Sequence, residues 1–244
     1  MTDVTGLSII VPCYNERETV GEVIRRLLDV DFRLRREIIV VDDGSTDGTG
    51  DVVRRFHGVR LIRHPKNMGK GAAIRTGVAS SSGRVIVIQD ADMEYFPESI
   101  PRLIEPLLKG EADMTLGSRF LGCCEGMATT HLLGNRILSF VTSVLCGHGI
   151  TDVMTGHKAF RREVFDSLRL TARSFDVETE IVAKAIKVGW RVREVPIRYR
   201  RRERGRAKIS WRHGIASLLM LVKVRLGYGG ELPGPSSGRA VPSR

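Results

Sequence analysis

At 244 residues with 42% hydrophobic and 27% charged side chains, the chain has room for one compact α/β domain and a small appendage, which excludes disorder throughout. Its net charge of +11 favours polyanionic partners: nucleic acid, nucleotide phosphates or an anionic membrane face. The four cysteines, Cys13, Cys123, Cys124 and Cys146, lack zinc-site spacing, and residues 1–6 lack the basic and apolar regions of a signal peptide. No stretch reaches the roughly 18 apolar residues that a membrane span requires. The expectation is a cytoplasmic protein with reduced thiols, whose membrane contact is peripheral.

Leu7–Val11 is a short apolar, β-branched run that reads as a buried strand ended by Pro12. Apolar residues at helical spacing follow over Thr19–Leu28. Glu37–Val41 is a second buried strand, ending in Asp42-Asp43-Gly44-Ser45, and Asp47 is placed to cap a helix running to about Phe56. Val59–Ile62 is a third strand, Ala72–Ala79 a helix, and Val85–Ile88 a fourth strand that runs into Gln89-Asp90-Ala91-Asp92. Pro97 opens another helix, and Met114–Leu116 is a fifth strand. Beyond Gly122 the expected elements are a helical stretch including Leu132–Leu145, a strand at His157–Phe160, a helix from about Val177 to Lys187 and a strand near Val192–Val195. The basic segment Arg198–Arg212 and an apolar helix over Ile215–Val224 follow. Residues 1–226 are read as one domain, and 227–244, rich in Gly, Pro and Ser, as a disordered tail.

This alternation predicts a doubly wound, mostly parallel α/β sheet. Ligands of such sheets bind beyond the carboxyl ends of the strands. Asn15 and Glu16 follow the first strand, Asp42 and Asp43 the second, Asp90 and Asp92 the fourth, Ser118 and Arg119 the fifth.

Asp90 and Asp92, one residue apart past a buried strand, can offer oxygens to Mg²⁺ or Mn²⁺, with Glu94 as a third donor. A solvated turn with capping carboxylates is the plainer reading of such a pair, and the position after the fourth strand favours the metal. Asp42 and Asp43 can accept hydrogen bonds from a base or ribose, or simply close an Asx turn. No GxGxxG follows the first strand, which disfavours a dinucleotide oxidoreductase. Gly69-Lys70-Gly71 fails as a P-loop because position 64 is His and no Ser or Thr follows Lys70. Lys70 remains a candidate for approaching a nucleotide. The Arg198–Arg212 run has few interleaved aromatics, only Tyr199 and Trp211, so a nucleic-acid platform is the rival reading. Asp176, Glu178 and Glu180 do not share a helix face, so one is expected to point into the site.

These motifs resemble the family 2 glycosyltransferases of GT-A fold, and within them the dolichol-phosphate mannosyltransferase or polyprenyl-phosphate sugar synthase branch. The resemblance rests on residues 9–16, IIVPCYNE, residues 41–49, VDDGSTDGT, and residues 67–71, NMGKG. Asp90-Ala91-Asp92, Gly117-Ser118-Arg119 and residues 155–160, TGHKAF, extend it over roughly residues 7 to 215. It implies that Pro12, Tyr14, Asn15, Glu16, Asp42, Asp43, Lys70, Gln89 and Ala91 surround a nucleotide-diphosphate sugar. Asp90 and Asp92 would hold the metal with the diphosphate, and Arg119 would approach a phosphate. Lys158, Arg204 and Lys208 would serve the acceptor phosphate. The family usually carries Gln at the position of Glu94 and Gly-Phe-Arg where this chain has Gly156-His157-Lys158; replacing Arg by Lys removes bidentate phosphate recognition. The implied partner is a polyprenyl-phosphate acceptor at an anionic membrane, with no nucleic acid. A homo-oligomer or a separate membrane subunit stays open.

The expected reaction is an inverting transfer in which the acceptor oxygen attacks the anomeric carbon. A lipid phosphate is already ionised and needs no general base, whereas a hydroxyl acceptor needs one, for which Glu178 and Glu180 are the candidates. A nucleotidyltransferase is the rival enzyme, distinguished by a Gly-rich signature after the first strand, which this chain lacks.

Overall fold

A computed structural model describes residues 6–202, 211–227 and 233. The strands are β1 (Leu7–Cys13), β2 (Arg36–Asp42), β3 (Val59–Arg63), β4 (Val85–Ile88), β5 (Met114–Glu125), β6 (Lys158–Arg161) and β7 (Val192–Arg200). They form a seven-stranded sheet in the order β3-β2-β1-β4-β6-β5-β7. All pairings are parallel except those of β6, which runs antiparallel between β4 and β5. The helices are α1 (Val20–Asp29), α2 (Thr49–Val53), α3 (Lys70–Ala79), α4 (Ile100–Leu108), α5 (Thr129–Cys146), α6 (Arg162–Leu168), α7 (Val177–Val188) and α8 (Trp211–Arg225).

Strand alternation sends the β1 side chains to two cores. Leu7, Ile9 and Val11 pack with α1 and α4 residues such as Ile24, Leu27, Ile100 and Leu103. Ile10 joins α3, α6, α7 and α8 residues such as Ile74, Phe165, Ile181 and Leu221 on the opposite face. The result is three layers, helices covering both faces of the sheet, which is why β1 and β4 are buried at every position. Among the described residues, no helix is long and apolar enough to cross a membrane.

The doubly wound sheet is as expected, with several shifted boundaries. Pro12 does not end β1. The Ile10 carbonyl accepts Gln89 N, so Ile10 faces β4, and Pro12, two residues on, faces the same way. Pairing with β4 stops at Ile10, so the N–H that proline lacks has no strand to bond, while β1 continues to Cys13 opposite Asp42. The residue before α2 is Gly48 at φ +89° rather than Asp47, and the helix stops at Val53. Strands β5 and β7 run well beyond the apolar segments that marked them. They pair with each other through an irregularity after Ser118, and β7 takes Arg198 and Arg200 out of the expected basic loop. The proposed tail lies almost wholly outside the described residues.

Candidate active site

The strand order turns at β1 and β4, and a cleft of about 310 Å³ opens at their carboxyl ends. Pro12, Tyr14, Glu16, Asp43, Lys70, Asp90, Ala91, Asp92, Glu94, Arg119 and Glu178 all line it. Eleven residues expected at the site from sequence thus converge, from four different strand ends and two helices.

The acidic turn is shaped by Gln89, fully buried, whose side-chain amide donates to the carbonyls of Asp90 (3.1 Å) and Tyr95 (3.0 Å). Each aspartate then meets a protein cation. Lys70 Nζ lies 2.6 Å from Asp90 Oδ1, and the Arg202 guanidinium pairs with Asp92. Arg202 also reaches Glu94 at 3.2 Å and Glu16 at 3.4 Å. Burial, together with the neighbouring charges of Asp90, Glu94 and Glu16, pushes the Asp92 carboxyl up to about 7 against the pull of Arg202. This is a pocket short of positive charge.

Among the described residues, no three carboxylate, histidine or cysteine side chains are grouped to hold a metal. The expected third ligand, Glu94, is instead engaged by Arg202 through Oε1. The hard oxygen donors of the Asp90–Asp92 turn fit Mg²⁺ or Mn²⁺ in the mode that uses one or two carboxylates and completes the shell with substrate phosphates.

Lys70 opens α3 and is gripped from both sides. Asp43 accepts the amides of Met68 (2.9 Å) and Gly69 (2.8 Å), and its other partner is His64 at 2.7 Å. Gly69, at φ +94°, allows the loop to press against the Arg173 carbonyl. At its far end, the Lys70 ammonium also contacts Glu178 Oε1 at 2.7 Å. Burial opposes its charge, but Asp90 and Glu178 more than restore it, holding the ammonium well above the usual lysine range.

Arg119 projects from β5 and is clamped bidentately by buried Asp152, at 2.7 and 2.6 Å, with the Tyr199 ring 5.4 Å from its guanidinium. Its position at the cleft is therefore set by the protein before any ligand arrives.

Other expected residues lie behind the cleft. Asn15 joins loops, accepting Thr46 N (2.9 Å) and donating its own N–H to Ser45 Oγ (2.9 Å). Asp42 Oδ1 accepts Ser45 N (2.8 Å), so its side chain closes the local turn, one of the two readings of this segment. Glu180, a candidate base, faces away from the cleft. Its carboxylate takes the amides of Thr171 and Ala172 and pairs with Lys184 at 2.7 Å, because two helix positions past Glu178 lie on another face. Lys158 is fully buried in β6 and pairs with Glu178 and the Thr155 carbonyl, so it does not reach the cleft as an acceptor-phosphate contact. Arg204 and Lys208 lie outside the described residues.

Three cleft residues, and His64 behind Asp43, were not singled out from sequence. Arg202 was present only as one member of a basic run. His64 had been weighed only as the wrong residue for a P-loop. Tyr95, whose hydroxyl accepts Gly156 N (3.1 Å), carries no local signal. Phe175, whose ring lies 5.8 Å from Lys70 Nζ, is equally silent.

The family model described as Glycosyl transferase family 2 matches residues 8–169. The chain is 33% identical over 214 residues to dolichol-phosphate mannosyltransferase of Pyrococcus furiosus, covering 84% of this chain and 59% of that one. It is 32% identical over 215 residues to polyprenol monophosphomannose synthase of Mycolicibacterium smegmatis, covering 83% of this chain and 80% of that one. Glucosyl-3-phosphoglycerate synthase from Mycobacterium tuberculosis, in complex with phosphoglyceric acid, has a TM-score of 0.74 at 25% identity, covering 96% of this chain and 82% of that chain. The same synthase in complex with Mn²⁺ and UDP-glucose shares the fold, with a TM-score of 0.70 at 23% identity and coverage of 96% and 81%. With six motifs in order along one convergent cleft, and relatives this similar over most of its length, the chain belongs to glycosyl transferase family 2.

Proposed function

We propose that the chain transfers a sugar, with inversion, from a nucleotide-diphosphate donor to the phosphate of a polyprenyl lipid. The observation that carries the acceptor is the adjacency of two cavities that share a wall residue. Met154 lines both the charged cleft and an apolar groove of about 610 Å³ between α5 and α8, whose walls include Ile137, Leu138, Val141, Ile215 and Leu218. A molecule with an anionic head and a long apolar tail matches that pair of surfaces. The named activities of the Pyrococcus and Mycolicibacterium relatives support the same reading.

On this reading Pro12, Tyr14, Glu16 and Asp43 flank the nucleoside at the ends of β1 and β2, and Asp90 and Asp92 face the diphosphate. Asp90 and Asp92 would hold Mg²⁺ or Mn²⁺, which when bound neutralises the diphosphate and stabilises it as a leaving group. Arg119, already oriented by Asp152, directs positive charge toward the entering phosphate. The acceptor oxygen is ionised at neutral pH, so no protein base is required for this step. A hydroxyl acceptor is the second reading; it would require a base, and of the two candidate carboxylates only Glu178 lines the cleft.

Thermal unfolding with GDP-mannose or UDP-glucose plus Mn²⁺ tests the donor assignment. At 100 times its dissociation constant the true donor adds about 2.7 kcal/mol, a rise of roughly 5–10 °C for a domain of this size. No shift with any nucleotide sugar, or nucleotide-sugar synthesis in place of sugar transfer, would count against the proposal. Supplying short polyprenyl phosphates and polyprenols side by side separates the two acceptor readings.

The same two helices expose Ile137, Phe140, Val144, Ile215, Leu219 and Val222, with Arg136, Arg212, Lys223 and Arg225 exposed beside them. Apolar and basic groups on one surface suit peripheral contact with an anionic bilayer. Phe140→Glu with Leu219→Glu should cut sedimentation with phosphatidylserine vesicles by about tenfold or more while leaving donor binding in solution unchanged. Equal sedimentation of the variant and the wild type would refute this contact.

A further inference from the structure

Glu178 occupies the cleft wall, where a general base for a hydroxyl acceptor would stand, yet both of its oxygens answer to lysines. Oε1 lies 2.7 Å from Lys70 Nζ, and Oε2 pairs with Lys158 Nζ. Lys70 continues to Asp90 Oδ1 at 2.6 Å. A line of alternating charge, Lys158–Glu178–Lys70–Asp90, therefore runs from the protein interior to the acidic turn. Its inner members are sealed: Lys158 is 0% and Glu178 1% exposed.

We propose that Glu178 is a positioning residue that acts through Lys70 on Asp90, with Lys158 as its buried counter-charge, and that it does not take the acceptor's proton. The proposal rests on the cleft being the nucleotide-sugar site.

A general base must present an oxygen to the proton it removes, within hydrogen-bond reach. Here the oxygen at the cleft is buried and ion-paired with the Lys70 ammonium at 2.7 Å, without a hydrogen bond of its own among the described residues, and its partner oxygen points inward to Lys158. What the carboxylate does is fix Lys70. The backbone of that lysine is anchored by the Asp43 bonds to Met68 and Gly69. Its four-carbon side chain has many rotamers, and the Glu178 contact selects the one that meets Asp90. Burying Glu178 beside Lys70 alone would leave half of the carboxylate unpaired, which is costly away from water. Lys158 fills that place, itself tethered by the Thr155 carbonyl and, at 3.4 Å, by that of Val153. Gly156 keeps the other side of Asp90 tight, since a Cβ there would overlap Oδ2. Asp90 is thus aimed from two directions, and neither contact requires a proton to move.

The test is a set of variants of the full chain: Glu178→Gln, Lys70→Met, the two combined, and the paired Lys158→Met with Glu178→Met. The last removes a buried ion pair as a unit, a change that cores tolerate better than loss of one partner, and it keeps the question open should Glu178→Gln fail to fold. Two quantities are read: the calorimetric dissociation constant of the nucleotide sugar in Mn²⁺, and the pH profile of kcat/KM. Losing a charge-assisted contact that orders Lys70 is expected to weaken donor binding about 10- to 100-fold in Glu178→Gln and in the Met pair. Adding Lys70→Met to Glu178→Gln should weaken binding no further than Lys70→Met alone, because one pathway cannot be broken twice. The acid limb of the pH profile should persist in every variant. Effects that multiply, or a Glu178→Gln enzyme that binds donor normally and loses its acid limb, would overturn the positioning role. Failure of the wild type to bind any nucleotide sugar would instead remove the donor-site reading beneath it, and the relay with it.

Discussion

Alanine at position 156 is expected to lower sugar transfer by at least about 100-fold in a chain that still folds, because misplacing a reacting group by an ångström costs that much. Gly156 lies directly against the acidic turn. A Cβ there would overlap Asp90 Oδ2 and come within 2.8 Å of its Cγ and 3.2 Å of Lys70 Nζ. The backbone has no easy retreat, since Gly156 N donates to the Tyr95 hydroxyl at 3.1 Å and Lys158, two residues on, is locked in β6 between β4 and β5. The methyl must therefore displace Asp90, and with it the Lys70 contact. Initial rates, the donor dissociation constant in Mn²⁺ and a thermal melt of Gly156→Ala check this together. Rates within a few-fold of wild type would show that the acidic turn tolerates movement.

Much of this architecture could be read from residues alone, and the reasons are local. The β1, β2 and β4 segments announce themselves because strands covered on both faces are apolar at every position, as the wholly buried Leu7–Cys13 is. The site residues at their ends were legible for a related reason: polar residues directly after such runs can only emerge at one edge of the sheet. The limits are equally physical. Strand β6 reads as a strand from its composition, but its antiparallel place between β4 and β5 depends on a crossover that no local pattern encodes. Glu178 and Glu180 differ in sequence by two positions and in structure by everything that matters, because a helix turns about 200° between them. Only the packing of α7 decides which one faces the cleft. Lys158 misled for the opposite reason. A lysine in a phosphate-linked motif suggests solvent and ligand, and its partner, Glu178, lies 20 residues away. Arg202 was hidden among similar arginines, and only the reach of β7 to Arg200 singles it out as the one that closes on Asp92.

His157 carries the largest expected effect on stability. Its side chain is fully buried, neither ring nitrogen has a hydrogen-bond partner, and burial pushes its pKa down to about 3. The unfolded chain would protonate this imidazole near 6.5, whereas the folded chain holds it neutral until about pH 3. Above pH 6.5 both states are neutral and the residue adds no pH dependence. As pH falls below 6.5, the unfolded state binds a proton that the native state refuses, so stability is lost at up to about 1.4 kcal/mol per pH unit. Between pH 6.5 and 4.5 that is a loss of about 2.5 kcal/mol from this one ring. His157→Phe removes the titration and the two unsatisfied nitrogens while keeping an aromatic ring against Tyr95, whose centroid lies 5.8 Å away. Urea unfolding of the two proteins across pH 4.5 to 7.5 should show the Phe variant more stable by about 1–3 kcal/mol at neutral pH, from the relieved desolvation. The gap should widen steadily below pH 6.5. Curves that stay parallel over that range would mean that the imidazole finds a proton or a partner inside the fold.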